Sequence, residues 1–253
     1  MMLHRVNPIK VKQREWHTSA YAEHYYHSER EYLKLGLRQS IGPSVLQLSR
    51  YLDQQLVDDL DLPFLVRSAY DFDQTTNIAC DPAFLPFAPD SFSTVVLPHV
   101  LEGHDLPHQV LREAHRVLMS EGHIVITGFN PISLMGLQRV VRRKAVYSGR
   151  CYTVKRVIDW LQLLGFEVVA SSMYQYSPLF KNTRFRTAFN FLEAVGDRWL
   201  PMTGGGYMIC AKKRELSGTF VGKLRFKPPR RKMVGATASV KANTHKSPKA
   251  PSK

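Results

Sequence analysis

The sequence predicts an α/β fold: a mostly parallel, doubly wound sheet with helices on both of its faces. Two observations predict it. Short apolar runs typical of buried strands alternate along the chain with segments whose apolar residues recur at helical spacing. The 253 residues, of which 44% are hydrophobic and 11% aromatic, are also enough to bury one sizeable core.

The first predicted element is a helix from Trp16 to Leu37, which dominates an N-terminal helical extension over residues 1–40. One face of this helix carries residues at helical spacing that we expect to pack on the domain: Tyr21, Tyr25, Ser28, Tyr32 and Leu35. The α/β domain is predicted to follow over residues 41–213, and a disordered basic tail over 214–253.

Seven strands and four helices are predicted within the domain. The strands are expected at residues 44–48, 64–70, 76–80, 94–98, 123–129, 166–173 and 206–212, and the helices at 53–60, 106–118, 153–164 and 182–199. Thr153 is expected to cap its helix and Gly165 to end it. The helix at 106–118 is predicted to bury Leu106, Val110, Ala114, Val117 and Leu118.

The charge is concentrated in the tail. The whole chain carries +14, and residues 212–253 hold 13 Lys or Arg against one acid, which gives +12. The other 211 residues hold 22 Lys or Arg against 20 acids, which gives +2. The tail is therefore predicted to bind polyanions such as nucleic acid, and a tail that only improves solubility is the alternative.

Composition also limits the compartment and the chemistry. No run approaches the roughly 18 apolar residues of a membrane span, and residues 1–18 lack the apolar core of a secretory signal. The three cysteines are scattered and form no Cys-x-x-Cys pair, and His24 and His27 have no partners to complete a ligand set. We therefore expect a cytoplasmic protein with no metal site.

Five short motifs follow one another in the middle of the chain. They are DPAFLPF at 81–87, SFSTVV at 91–96, HVLE at 99–102, REAHRVL at 112–118 and EGHIVI at 121–126. In this order they resemble the second half of a class I S-adenosylmethionine-dependent methyltransferase domain, of the type 11-like bacterial group related to ubiquinone and menaquinone methylases. The resemblance implies a Rossmann-like sheet with an antiparallel final strand, and S-adenosylmethionine as cofactor.

By resemblance, Asp81 at the end of the third strand accepts a hydrogen bond from the adenine amino group. The next backbone N–H would contact the adenine ring, but Pro82 has none, so this contact is expected from Ala83. The alternative is that Asp81 and Pro82 only open a turn.

The first strand departs from the family. A glycine-rich loop is expected after it, because glycine lets the backbone approach the ligand. The chain instead has Leu48, Ser49 and Arg50, which would line the methionine channel and crowd it. Ser93 likewise stands where the family usually has Asp.

Pro98 and His99 leave the fourth strand at its carboxyl end, beside the predicted cofactor pocket. His99 is the candidate general base, since imidazole titrates near neutrality. The alternative is a histidine that packs on the pocket wall, since methyl transfer needs mainly alignment.

Two functions remain open at this stage. The first is a methyltransferase acting on an acceptor that the residues do not name. The second is a methyltransferase-like domain without catalysis, which binds nucleic acid or a protein partner. The missing glycines favour the second, and the intact motifs from Asp81 to Ile126 favour the first. No oligomeric state is predicted.

Overall fold

The structure is a computed structural model that describes residues 20–38, 40, 42–49, 64–69, 77–142, 149–176 and 202–214. The helices predicted at 53–60 and 182–199, the residue Arg50 and nearly all of the basic tail lie outside the described residues. Tertiary contacts divide the chain into a unit of residues 1–216 and a second of 217–253. The division into an extension, a domain and a tail stays a prediction.

Seven strands form one sheet. Their bounds are β1 Ser44–Leu48, β2 Phe64–Ala69, β3 Ile78–Ala79, β4 Phe92–Pro98, β5 Leu118–Phe129, β6 Phe166–Tyr174 and β7 Gly206–Lys213. The order across the sheet is β3-β2-β1-β4-β5-β7-β6. Strands β1 to β5 pair in parallel, and β7 pairs antiparallel with both of its neighbours. The predicted fold class and the antiparallel last strand are confirmed.

The described helices are α1 Ala20–Arg38, α2 Val100–Gly103, α3 Pro107–Val117, α4 Leu134–Arg142 and α5 Val154–Leu163. Thr153 caps α5 as predicted, because its side chain accepts from the N–H of Arg156. Gly165 follows α5 with a φ of 86°, a left-handed conformation that favours glycine.

Two apolar layers enclose the sheet. One layer joins β1, β4 and β5 to α3 and α5 through residues such as Leu46, Val95 and Ile124. The other lies under α1 and includes Leu33, Val96 and Val125, among others. Alternate residues of each strand enter opposite layers, as expected of a sheet that is covered on both faces.

The predicted buried stripe of α1 is partly wrong. Tyr25 is fully buried, but the side chain of Leu35 is 51% exposed. The helix instead buries Tyr25, Glu29 and Leu33 at a spacing of four residues. The sequence pattern missed this face because it has a glutamate at its centre, and a charged residue is almost never fully buried unless it is paired.

Leu106 is also misplaced by the prediction. It precedes α3 and is 53% exposed, whereas Val110, Ala114, Val117 and Leu118 are fully buried as expected. An ion pair on α3 shapes the loop after β3: Glu113 accepts from the N–H of Leu85, and Arg116 donates to the carbonyls of Leu85 and Phe87. This contact explains why the loop motif and the helix motif occur together.

Candidate functional site

The carboxyl ends of the parallel strands meet at one edge of the sheet. The strand order reverses between β1 and β4, which is where ligands bind in open α/β sheets. This edge receives the predicted site residues that the structure describes: Leu48, Ser49, Asp81, Pro82, Ala83, Pro98 and His99. Leu48 is fully buried in the apolar core, so its backbone and not its side chain faces the edge.

At the end of β3, Asp81 is held by two donors. Its Oδ1 accepts from the N–H of Ala83 at 2.8 Å and lies 2.9 Å from Nε2 of His104. Nδ1 of His104 accepts from the N–H of Leu106 at 2.9 Å, so in the neutral ring the proton sits on Nε2 and is donated to Asp81. His104 is buried, while the Asp81 side chain is 38% exposed.

The Asp81 segment forms the turn that was the alternative interpretation, since the N–H of Phe84 donates to the carbonyl of Asp81. The N–H of Ala83 is already engaged by Asp81, so a contact between that N–H and adenine would require the turn to open. The contact of Asp81 itself with adenine stays a prediction.

At the end of β4, His99 lies between two carboxylates. Its Nδ1 is 2.9 Å from Oε2 of Glu102, and its Nε2 is 3.2 Å from Oε1 of Glu29. The contact between Nε2 of His99 and Glu29 is close enough for an ion pair, but its geometry is not that of a hydrogen bond. His99 adopts a φ of 51°, and its backbone N–H donates to the carbonyl of Thr127.

Burial lowers the pKa of His99, but the carboxylates of Glu29 and Glu102 outweigh it, and the pKa is raised well above its usual value. The imidazole therefore favours its protonated form near neutrality. A protonated ring has no lone pair to accept a proton, so this arrangement does not favour the general-base role, which stays a prediction.

The carboxylates of Glu29 and Glu102 differ in how many of their oxygens have a partner. Oε1 of Glu102 accepts from the N–H of Phe129, and its Oε2 faces His99. Oε1 of Glu29 accepts from the hydroxyl of Thr127 and faces His99. Oε2 of Glu29 is buried and has no hydrogen-bond partner.

Aromatic rings surround this cluster. The ring of Phe129 lies 4.1 Å from that of His99, and the ring of Tyr25 lies 5.8 Å from it, measured between centroids. Tyr25 donates to the hydroxyl of Tyr174 at 3.2 Å. Burial raises the pKa of both tyrosines well above the usual value, so both stay neutral. Rings and neutral hydroxyls thus keep the charged cluster away from water.

At the end of β1, a second buried polar group lacks a partner. Gln47 is 1% exposed, and neither its Nε2 nor its Oε1 makes a hydrogen bond. It pairs in register with Arg67 of β2 and Val96 of β4, next to the point where the strand order reverses. Ser49 follows two residues later and is 5% exposed.

Sequence reasoning missed Glu29, Gln47 and His104. Gln47 gave a usable signal, since a polar residue within an apolar strand is expected to be solvated or bound. Glu29 gave none, because it resembles any charged position of a surface helix.

The comparisons with known proteins point in one direction. Residues 42–126 match the family model of a methyltransferase domain. The chain is 39% identical over 165 residues to the uncharacterized protein YafS of Escherichia coli strain K12, a match that covers 63% of this chain and 65% of that protein. The match thus spans just under two thirds of the relative's length.

Solved structures share the fold. A S-adenosylmethionine-dependent methyltransferase of Thermotoga maritima superposes with a TM-score of 0.57 at 15% identity, covering 75% of this chain and 89% of that one. One from Archaeoglobus fulgidus gives 0.53 at 17% identity, covering 82% and 100%. The sheet order is thus that of the class I methyltransferase fold, and residues 42–126 match a methyltransferase domain, in agreement with the predicted resemblance.

The residues at the strand ends fit the cofactor that this fold implies. The unpartnered amide of Gln47 provides a donor and an acceptor at the end of β1, and Asp81 provides a half-exposed acceptor at the end of β3. Ser49, which is 5% exposed, stands at the position where the resemblance predicts a glycine.

Proposed function

We propose that the protein is a methyltransferase that uses S-adenosylmethionine. The observation that carries this proposal is the match of residues 42–126 to a methyltransferase domain, because the matched segment contains β1, β3 and β4 and so the strand ends that form the site. The sheet order and the family motifs support it.

Asp81 and Gln47 are the residues that would hold the cofactor. Asp81 would accept from the adenine amino group, held in place by His104 and Ala83. Gln47 would bind a polar group nearer the methionine end, with Ser49 and the backbone of Leu48 beside it. When bound, S-adenosylmethionine supplies an electrophilic methyl group on a sulfonium.

Pro98 and His99 would lie on the acceptor side, where the chain contributes alignment and the exclusion of water. Methyl transfer to a good nucleophile gains mainly from this positioning. The burial of Glu29, Glu102 and the surrounding rings supports such a role.

Calorimetric titration with S-adenosylmethionine and S-adenosylhomocysteine tests the proposal. We expect weak binding, because Ser49 replaces a glycine. The absence of binding heat at millimolar ligand would contradict it. Binding that is unchanged in Asp81→Ala would mean that the site lies elsewhere on the sheet edge.

A binding module without catalysis is the second candidate. The observation that favours it is Ser49, which is nearly buried at the position of the family glycine. The same titration separates the two, since a module that has lost the cofactor gives no heat.

We also propose that the basic tail binds nucleic acid and that the protein acts in the cytoplasm. Residues 214–253 hold 11 Lys or Arg against one acid, and the resulting charge of +10 supports the first. None of the helices in the described ranges is long and apolar enough to cross a membrane. RNA binding by the full chain and by a variant that ends at Lys213, compared at two salt concentrations, tests the tail. Equal binding that does not depend on salt would contradict it.

A further inference from the structure

The helix α1 brings Glu29 into the proposed site from outside the matched segment of residues 42–126. Glu29 is fully buried, and it meets His99 and Thr127 at the carboxyl ends of β4 and β5. The inference drawn from it concerns the methyl acceptor, and it rests on the proposed function.

The acidic and basic groups of this cluster are unequal in number. One imidazole, that of His99, faces the two carboxyl groups of Glu29 and Glu102. Glu102 uses both of its oxygens, whereas Oε2 of Glu29 is buried with no partner. A buried acceptor without a donor is costly. The cluster therefore favours a neutral group that donates a hydrogen bond and that gains positive charge when it is methylated.

We propose that the methyl acceptor is an amine whose nitrogen donates a hydrogen bond to Oε2 of Glu29. An amine supplies the donor that this oxygen lacks. Transfer of the methyl group also builds positive charge on the nitrogen, and the acidic groups of Glu29 and Glu102 lie where they can stabilise that charge until the proton leaves.

The transfer balances with the residues at hand. The lone pair of the amine nitrogen forms the new carbon–nitrogen bond. The carbon–sulfur bond of the sulfonium donor breaks, and its electron pair remains on sulfur. Oε2 of Glu29 takes the proton that the nitrogen loses. His99 is not the proton acceptor in this scheme, because the carboxylates at Nδ1 and Nε2 favour its protonated form.

Sinefungin tests the inference without knowledge of the acceptor. This analogue of the cofactor carries an amine in place of the S-methyl group, so its amine occupies the position of the transferred methyl group, next to the place where the acceptor nitrogen would lie. S-Adenosylhomocysteine lacks both groups and serves as the reference ligand. The ratio of the two affinities, measured by calorimetry, reports on the amine alone.

The variants are Glu29→Gln and its control Glu31→Gln, which removes an exposed carboxylate from the same helix. We expect the wild type and Glu31→Gln to prefer sinefungin by at least about tenfold, and Glu29→Gln to lose most of that preference while it keeps its affinity for S-adenosylhomocysteine. If Glu29→Gln does not fold, Glu29→Asp serves instead, because its side chain is one methylene shorter and holds the carboxyl group farther from the ligand. This variant should show a reduced preference for sinefungin over S-adenosylhomocysteine.

Each outcome has a distinct meaning. A wild type that binds S-adenosylhomocysteine without preferring sinefungin overturns the inference and leaves the proposed function intact. A preference that Glu29→Gln retains overturns it as well. A wild type that binds neither ligand overturns the proposed function, and the inference with it.

Discussion

The ends of β3 and β4 lie on one edge of the sheet but are built differently. At β3, the side chain of Asp81 is 38% exposed and is held by the ring of His104 and the N–H of Ala83. At β4, His99 is buried between Glu29 and Glu102, and every group of the cluster is ionisable.

The contacts at β3 come from residues 23 positions apart at most, all within the matched segment. The cluster at β4 needs Glu29, which lies 98 residues from Thr127 in the chain and outside that segment. Under the proposed function, the matched domain would supply the adenine side of the site, and the N-terminal helix would supply an acidic group on the acceptor side.

The largest effect is expected for Glu102→Gln. Both oxygens of this buried carboxylate are engaged, by the N–H of Phe129 and by His99. Breaking a buried ion pair costs about 3–5 kcal/mol, which for a domain of this size lowers the Tm by about 10 °C. Thermal unfolding measures it, with Glu167→Gln as the control because this residue forms an exposed ion pair. Equal melting of the two variants would mean that the cluster does not stabilise the fold.

The second effect concerns the β3 end. Asp81→Ala should weaken binding of S-adenosylmethionine by about 5- to 150-fold, since an unpaired adenine donor costs about 1–3 kcal/mol. Ser49→Ala should change the affinity less, because it removes a hydroxyl and leaves the backbone in place. Calorimetry of both variants and the wild type measures the two losses. If Ser49→Ala loses more affinity for S-adenosylmethionine than Asp81→Ala does, the end of β1 and not the end of β3 provides most of the binding energy.

A smaller effect is expected for His104, which acts through Asp81. His104→Gln can keep the donor to Asp81 but loses the acceptor for Leu106, and His104→Asn can keep that acceptor but loses the donor. If His104 positions Asp81, His104→Asn should weaken cofactor binding roughly fivefold, a loss of about 1 kcal/mol, and His104→Gln should bind like the wild type. The opposite order would show that His104 only shapes the turn.

The smallest effect is a pH dependence at the β4 end. The folded-state pKa of His99 is raised, so the protonated ring contributes stability that is fully present below about pH 6.5, its usual value, and is lost as the pH rises through the folded pKa. Glu29→Gln removes one cause of that rise. The Tm of the wild type should therefore fall more steeply than that of the variant from pH 6.5 upward. Parallel curves would show that Glu29 does not hold the proton on His99.

Much of the fold could be read from the sequence. The alternation of strands and helices, the strand positions and the cap at Thr153 follow from local periodicity and local hydrogen bonds. The family motifs also coincide with real contacts, as in the pairing of Glu113 and Arg116 with the loop at Leu85. Such features depend on residues that are close together in the sequence or on motifs that occur together in a family. A single sequence is therefore enough to recognise them.

Part of the candidate site could also be predicted from the sequence. Asp81 and His99 were predicted at strand ends because parallel strands bring their carboxyl ends to one edge of a sheet. The residues that contact Asp81 and His99 were not predicted. His104 was seen only as one of several scattered histidines, and its bond to Asp81 depends on how the chain turns after β4.

The sequence by itself determined the class of the fold and the resemblance of its central motifs to a methyltransferase domain, and it predicted the sheet edge that carries the candidate site. Only the tertiary structure decided that Glu29 faces inward, that His99 has a carboxylate at each nitrogen, and that Oε2 of Glu29 and the amide of Gln47 are buried without partners. Periodicity reports which residues share a face of an element. It does not report what that face meets, because burial, pairing and charge balance are set by residues distant in the chain.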